Sequence, residues 1–205
     1  MAATADMQRL INDLRAVLPG ALLSGIQAAI FQAYDDFFDF TNVWTEDVDI
    51  ALVNGQRVYT LATPAQGRFN RLVVLFDSQD TSEKWADRAE FTPPSAIKIA
   101  STPKAGPTWV ARLSKKLATV DADNNPDAPD AFLQKYREAI YAGARSILHA
   151  QTGMPWADTK SVVFYGQKFL AEKTKARIDK IKANVVGQTN WTFPMAYSTG
   201  RQRGY

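Results

Sequence analysis

The sequence predicts an α+β protein: a mainly α-helical bundle with an inserted antiparallel β-sheet of about five strands and an extended C-terminal tail. Three observations predict it. Apolar residues recur at steps of three and four in two blocks, residues 6–41 and 127–182, the spacing that lines one face of a helix. Between the blocks the period falls to two, as in strands with one face buried. After Ala183 no period is left. The chain thus divides into N-terminal bundle helices (1–43), a β-rich insertion (44–120), a C-terminal helical hairpin that completes the bundle (127–183) and a tail (184–205) that docks on a partner.

A first helix is expected from Asp6 to Leu18, with Leu10, Ile11, Leu14, Val17 and Leu18 on one side, and Pro19-Gly20 breaks it. A second follows over Leu22–Thr41, its apolar face built from Ile26, Ala29, Ile30, Ala33, Phe37 and Phe40. Its last turns carry Asp35, Asp36 and Asp39, acids that oppose the helix dipole and so need partners elsewhere. Trp44–Val53 then alternates, and Asn54-Gly55 leads into a return strand over Gln56–Leu61. That dipeptide between alternating runs predicts a β-hairpin through a type I′ turn. Further strands are expected over Phe69–Phe76, Ala96–Ala100 and Thr108–Leu117. A long polar loop, Ser78–Ser95, precedes the fourth strand, with Trp85 and Phe91 as its large anchors and Pro93-Pro94 closing it. Loops this long commonly carry function. Asp121–Pro126 is a linker back to the helices.

The chain is organised around the C-terminal hairpin. Leu133, Tyr136, Ile140, Gly143 and Ile147 share one face of its first arm, which Asp127 is placed to cap and Pro129 to start. A turn at Gly153-Met154-Pro155 is short enough to make the two arms antiparallel neighbours. Asp158 caps the second arm, whose Val162, Val163, Tyr165, Phe169, Leu170, Ile178 and Ile181 read as one broad apolar face. Gly143 and Gly166 cost helix propensity, so each marks a close approach of the opposing arm.

At 205 residues and 46% hydrophobic content, the chain is one domain with an insertion or a tail. It has no cysteine, which excludes disulfides and thiolate chemistry. Residues 1–8 lack the basic-then-apolar order of a signal peptide, and no run of about eighteen apolar residues is present, so a soluble protein with no membrane partner is expected. The net charge of +3 hides an asymmetry. No Lys or Arg lies between Arg15 and Arg57, where acids cluster, whereas bases dominate from Gln167 onward. Opposite poles suit side-by-side assembly, so Asp35, Asp36 and Asp39 of one subunit are expected to face Lys173, Arg177 and Lys180 of a neighbour. The tail holds Trp191, Phe193, Tyr197, Arg201, Arg203 and Tyr205, residue types that anchor interfaces, and these are expected to bind a partner. The plainer reading is a tail that folds back on its own domain.

No catalytic constellation can be assembled from these residues. His149, the one histidine, is expected at the surface in the last turn of a helix, where it complements the dipole. There is no Gly-x-Ser-x-Gly and no glycine-rich phosphate loop. Asp35 and Asp39 form an i, i+4 acid pair but lack a further acid at metal-ligand spacing. The lysines of the second arm lie on several helix faces without interleaved aromatics, unlike a nucleic-acid-binding strip. Neither enzymatic activity nor a cofactor or metal is expected.

Several segments form a collinear series: Leu-Pro-Gly-Ala at 18–21, Phe-Thr-Asn-Val-Trp at 40–44, and Asn-Gly at 54–55 with Val-Tyr-Thr-Leu at 58–61. It continues with Pro-Asp-Ala-Phe at 129–132, Arg-Glu-Ala-Ile-Tyr-Ala-Gly-Ala at 137–144 and Gly-Met-Pro-Trp-Ala-Asp at 153–158. Over most of residues 8–180 this resembles the head–tail connector adaptor proteins of tailed bacteriophages, the group that includes the tail tubular proteins. The resemblance implies a structural virion protein of the neck region, made in the host cytoplasm, and not an enzyme. It implies a twelve-fold homo-oligomeric ring beneath the portal protein. Such a ring continues the channel for genomic DNA toward the next tail component, a nozzle or head-closure protein. It assigns no residue-level site. The alternatives are a head-closure or tail-completion protein, a class richer in β-structure, and a virion protein that binds nucleic acid or acts on peptidoglycan.

Overall fold

The helices from the two ends of the chain meet in one bundle, and the strands between them form a second body with its own core. A computed structural model of the chain describes residues 5–78, 89–100, 108–118 and 129–184. Helices α1 (Ala5–Val17) and α2 (Leu23–Thr41) are followed by β1 (Thr45–Ala51), β2 (Val58–Thr60), β3 (Arg68–Asp77), β4 (Ala89–Thr92), β5 (Ala96–Ile99) and β6 (Thr108–Lys116). Helices α3 (Asp130–His149) and α4 (Thr159–Asn184) come last. The mixed α+β class holds.

Local signals set the helix ends. Gly20 and Gly153 take φ of +90° and +81°, a left-handed backbone that glycine adopts without strain, at the α1–α2 and α3–α4 turns. Asn42, at φ 53°, closes α2 by donating its N–H to the Phe38 carbonyl. Asp158 caps α4 as expected: its carboxylate accepts the amides of Lys160 (3.0 Å) and Ser161 (3.3 Å) and the Ser161 hydroxyl (2.6 Å). The Ser161 hydroxyl first, then the Lys160 amide, hold this carboxyl below the usual aspartate range. The expected cap of α3, Asp127, lies outside the described residues; α3 starts at a Pro129 N-cap without a side-chain bond.

Leu10, Ile11 and Leu14 of α1, Ile26, Ile30, Ala33, Tyr34, Phe37 and Phe38 of α2, Leu133, Ile140, Ala144 and Leu148 of α3 and Phe169 and Ala176 of α4 share the bundle core. Its helices come closest at Gly143. A Cβ there would lie 3.0 Å from the Ala33 Cβ and 3.0 Å from the Phe169 ring, so α2, α3 and α4 approach one another around a missing side chain. Gly166 is looser, with the Ser146 hydroxyl 3.3 Å from the corresponding point.

One expected helix face is only partly right. Of the residues assigned to the inner face of α4, Phe169 is buried, but Val163, Leu170, Ile178 and Ile181 are exposed. The residues that turn inward beside Phe169 are Lys173 and Ala176. Apolar side chains run round both sides of this helix, so spacing alone does not tell which side meets the bundle.

The β-region also departs from the expected single sheet of about five strands. Among the described residues, six strands form two three-stranded antiparallel sheets, ordered β1-β6-β3 and β2-β5-β4. They face one another across a core of Ile50, Leu52, Tyr59, Leu61, Phe69, Leu75, Ile97, Ile99, Trp109, Ala111 and Leu113. The Asn54-Gly55 turn does not join a hairpin. β1 pairs with β6 and β2 with β5, so this turn carries the chain from one sheet to the other. Gly55 has φ +82° while Asn54 does not take positive φ, which excludes a type I′ turn. Tyr59 fastens the corner, its hydroxyl accepting the Val53 amide (3.1 Å) and donating to the Gln56 carbonyl (3.1 Å). The unforeseen strand, β4, lies in the stretch read as a polar loop and pairs with β5 across Pro93-Pro94. Trp85 lies outside the described residues.

The two bodies join at Trp44. This ring packs on Phe38 (centroids 5.3 Å apart) and Phe132 (6.0 Å), its carbonyl accepts the Lys115 amide (2.8 Å), and Leu117 sits in the same core. Gly67 faces it so closely that a Cβ would fall 2.6 Å from the indole.

Ile140→Ala and Phe169→Ala are each expected to destabilise the fold by about 2–5 kcal/mol, the cost of opening a core cavity. Denaturant midpoints equal to those of the parent would mean that neither side chain packs the bundle.

Candidate assembly surfaces

Two surfaces bear on function: the contact between the acidic end of α2 and the basic α4, and the apolar residues left outside. The acidic and basic poles do meet, but within one chain. Lys173 is 8% exposed, and its Nζ lies 2.7 Å from Asp36 Oδ2. The same ammonium stands 4.5 Å from the Phe169 centroid and 5.1 Å from that of Phe40. Asp36 and the two rings thus surround it on the α2–α4 seam. Asp39 accepts from the Asn70 amide (2.9 Å), and Arg71 reaches the Asp39 main-chain carbonyl, so this acid ties α2 to β3.

Lys180 donates to the Thr45 hydroxyl (3.1 Å), joining the far end of α4 to β1. Burial, and then repulsion from Arg112, lower its pKa from the ordinary lysine value. Arg112 itself grips Asp47 through two bonds of 2.7 Å, and that hydrogen bonding raises its pKa. Arg177 lies over the Phe40 ring at 5.1 Å and has no acid partner among the described residues. Asp35 has none either, and its Oδ1 is buried without a hydrogen bond. Of the six residues expected to pair between subunits, Asp36, Asp39, Lys173 and Lys180 are therefore engaged inside the subunit. Asp35 and Arg177 remain.

His149 is not the surface residue that its place in the helix implied. It is buried, its Nδ1 lies 2.7 Å from the Trp156 carbonyl, and its ring stacks on Tyr165. That contact, with the Asp158 amide bonded to the His149 carbonyl (3.2 Å), staples the α3–α4 turn. Among the described residues no group of three or more His, Cys, Asp or Glu could hold a metal ion, and no helix is long and apolar enough to cross a membrane.

Among the described residues, the exposed large apolar side chains cluster in two places, with Val53, Val58 and Met154 exposed apart from them. Val17, Leu22 and Leu23 lie exposed where α1 turns into α2, Leu22 with 75% of its surface in solvent. The outward face of α4 exposes Val163, Phe164, Leu170, Ile178 and Ile181, with a shallow groove of about 390 Å³ at its start, lined by Thr159, Lys160, Val163, Phe164 and Gln167. Four of these, Val163, Leu170, Ile178 and Ile181, belong to the face that spacing predicts to be inside. The signal that they face outward was a second run at steps of three and four, Phe164, Gln167, Ala171, Thr174, Ile178 and Ile181, offset from the first. The expected anchors Trp191, Phe193, Tyr197, Arg201, Arg203 and Tyr205 lie outside the described residues.

Asp36→Asn strands a buried ammonium and is expected to cost about 1–3 kcal/mol in urea unfolding of dilute, monomeric protein. Lys173→Met, which removes the charge and keeps the bulk, is expected to be neutral or stabilising. An Asp36→Asn protein as stable as the parent when dilute would show that the pair is not held within one chain.

No family model matches this chain, and comparison with curated proteins likewise gives no match.

Proposed function

We propose that the protein is a structural virion component, an adaptor ring that joins the portal to the tail and continues the DNA channel. The observation that carries this reading is the collinear series of segments from Leu18 to Asp158, seated on a bundle closed by helices from both ends of the chain. The insertion, with its own core, stands at the end of the bundle where α2 finishes and α3 begins. Exposed apolar side chains at the α1–α2 corner and along α4 give contact surfaces. Unlike patches on different sides of a subunit suit a head-to-tail ring, because each copy offers one patch and receives the other. Asp35 and Arg177, without an ion-pair partner among the described residues, are in this reading the charges that set its register.

Trp191, Phe193, Tyr197, Arg201, Arg203 and Tyr205 act in this reading as anchors toward the portal or an adjoining subunit. Aromatic and arginine side chains carry most of the energy of such contacts. The DNA passes without sequence-specific binding. A head-closure or tail-completion role is the second reading, favoured by the two sheets with a core of their own.

Electron microscopy of the purified full chain, alone and mixed with portal rings of the same phage, tests the proposal. A closed ring seated on the portal is expected. Arg177→Glu should weaken that ring and an added Asp35→Lys should partly restore it. Protein that stays monomeric and never attaches to the portal would overturn the adaptor reading.

A further inference from the structure

The outward face of α4 is an apolar stripe without cover among the described residues. Val163, Phe164, Leu170, Ile178 and Ile181 are between 45% and 61% exposed. The stripe runs from Val163 to Ile181, about 27 Å at ~1.5 Å of helix rise per residue. Lys168, Lys175 and Lys182 recur at seven-residue intervals along one flank, with Arg177 on the other. We infer that residues 191–197 of the same chain cover this stripe in the free subunit. The inference goes beyond the adaptor reading and stands without it.

Position, pattern and charge all point to this occupant. α4 ends at Asn184, one turn past Ile181, so residues 185–205 leave the helix at the end of the stripe itself. The six residues Val185–Asn190, with Gly187 among them, are enough to reverse direction. Trp191, Phe193, Met195 and Tyr197 then alternate with Thr192, Pro194 and Ala196. In an extended chain that pattern puts four large apolar side chains on one side over about 20 Å, matching most of the stripe. A proline at 194 disfavours helix at the residue before it, and its missing N–H suits a segment lying on side chains rather than one joining a sheet.

Charge separates this occupant from a second copy of α4. Residues 185–200 contain no charged side chain, so they meet the flanking lysines without repulsion. Two α4 helices packed stripe to stripe would instead bring together flanks in which Lys168, Lys175, Arg177 and Lys182 outnumber Glu172 and Asp179. The short tether adds to the preference, since it keeps the segment at high effective concentration beside its own helix.

The test compares the full chain with Leu170→Glu/Ile178→Glu and with Trp191→Ser/Phe193→Ser, following chymotrypsin cleavage within 191–197 by mass spectrometry and particle size by sedimentation. Both stripe positions are about half exposed, so circular dichroism of the first variant should match the parent. Cleavage of Leu170→Glu/Ile178→Glu is expected to be faster by about tenfold or more, with parent and variant both monomeric, because proteolysis tracks the uncovered population. Trp191→Ser/Phe193→Ser is expected to bind more of an apolar dye, the stripe being bare. Equal cleavage rates would overturn the inference, as would a stripe variant that converts an oligomeric parent to monomer without changing cleavage. Should the stripe variant fail to fold, unchanged dye binding by Trp191→Ser/Phe193→Ser overturns it alone.

Discussion

The close approach at Gly143 is the constraint on which the rest of the structure depends. Three helices meet there: α3 supplies the glycine, α2 the Ala33 methyl and α4 the Phe169 ring. A side chain at that point would push α2 and α4 away from α3 together. Because they are not pushed apart, Ile140, Ala144 and Leu148 can fill the interior beside Ile30, Ala33 and Phe37. The neighbouring aromatic packing follows from it, with Tyr136 4.8 Å from Phe37 and Phe132 5.5 Å from Phe38, centroid to centroid. Trp44, which joins the bundle to the insertion, rests on Phe38 and Phe132 in turn.

The same approach explains the polar chemistry on the seam. Bringing α4 onto α2 buries Lys173 beside Phe40 and Phe169, and a buried ammonium needs an acid; Asp36 is in reach. The acids that oppose the α2 dipole are thereby accounted for at Asp36 and Asp39, each held by groups from another element. What remains outside is a helix whose inner half holds the bundle and whose outer half is apolar without being core. An uncharged aromatic segment of the same chain, residues 191–197, is suited to cover such a face.

Much of the bundle was legible in the sequence. The helix ends at Asn42, Gly153 and Asp158 follow from local chemistry, and Gly143 and Gly166 announced a close packing that propensity alone disfavours. The inner face of α4 was not legible, because Leu170, Ile178 and Ile181 compete with Phe169 and Ala176 for the core and a lysine wins one of the inner places. The sheets were misread for a different reason. Asn54-Gly55 is a local signal, whereas the true partner of β1 is β6, which pairs Asp47 with Arg112 from far along the chain. Periodicity finds strands without finding their partners. For the candidate surfaces, charge segregation led to one acid–base pair, Asp36 with Lys173, and segregation in sequence cannot tell a pair within one chain from a pair between two.

The most direct test of this account is the unfolding free energy of Gly143→Ala set beside that of Gly166→Ala. Alanine gains about 1 kcal/mol of helix propensity over glycine at either site. At Gly166 the neighbour is the Ser146 hydroxyl, which donates to the Val162 carbonyl (3.1 Å) and lies 3.3 Å from the added Cβ, so it need give only slightly and that variant should be at least as stable as the parent. At Gly143 the neighbours are Ala33 and the packed Phe169 ring, and overpacking by about 1–3 kcal/mol should outweigh the gain, leaving the variant less stable. A Gly143→Ala protein stabilised as much as Gly166→Ala would contradict the account.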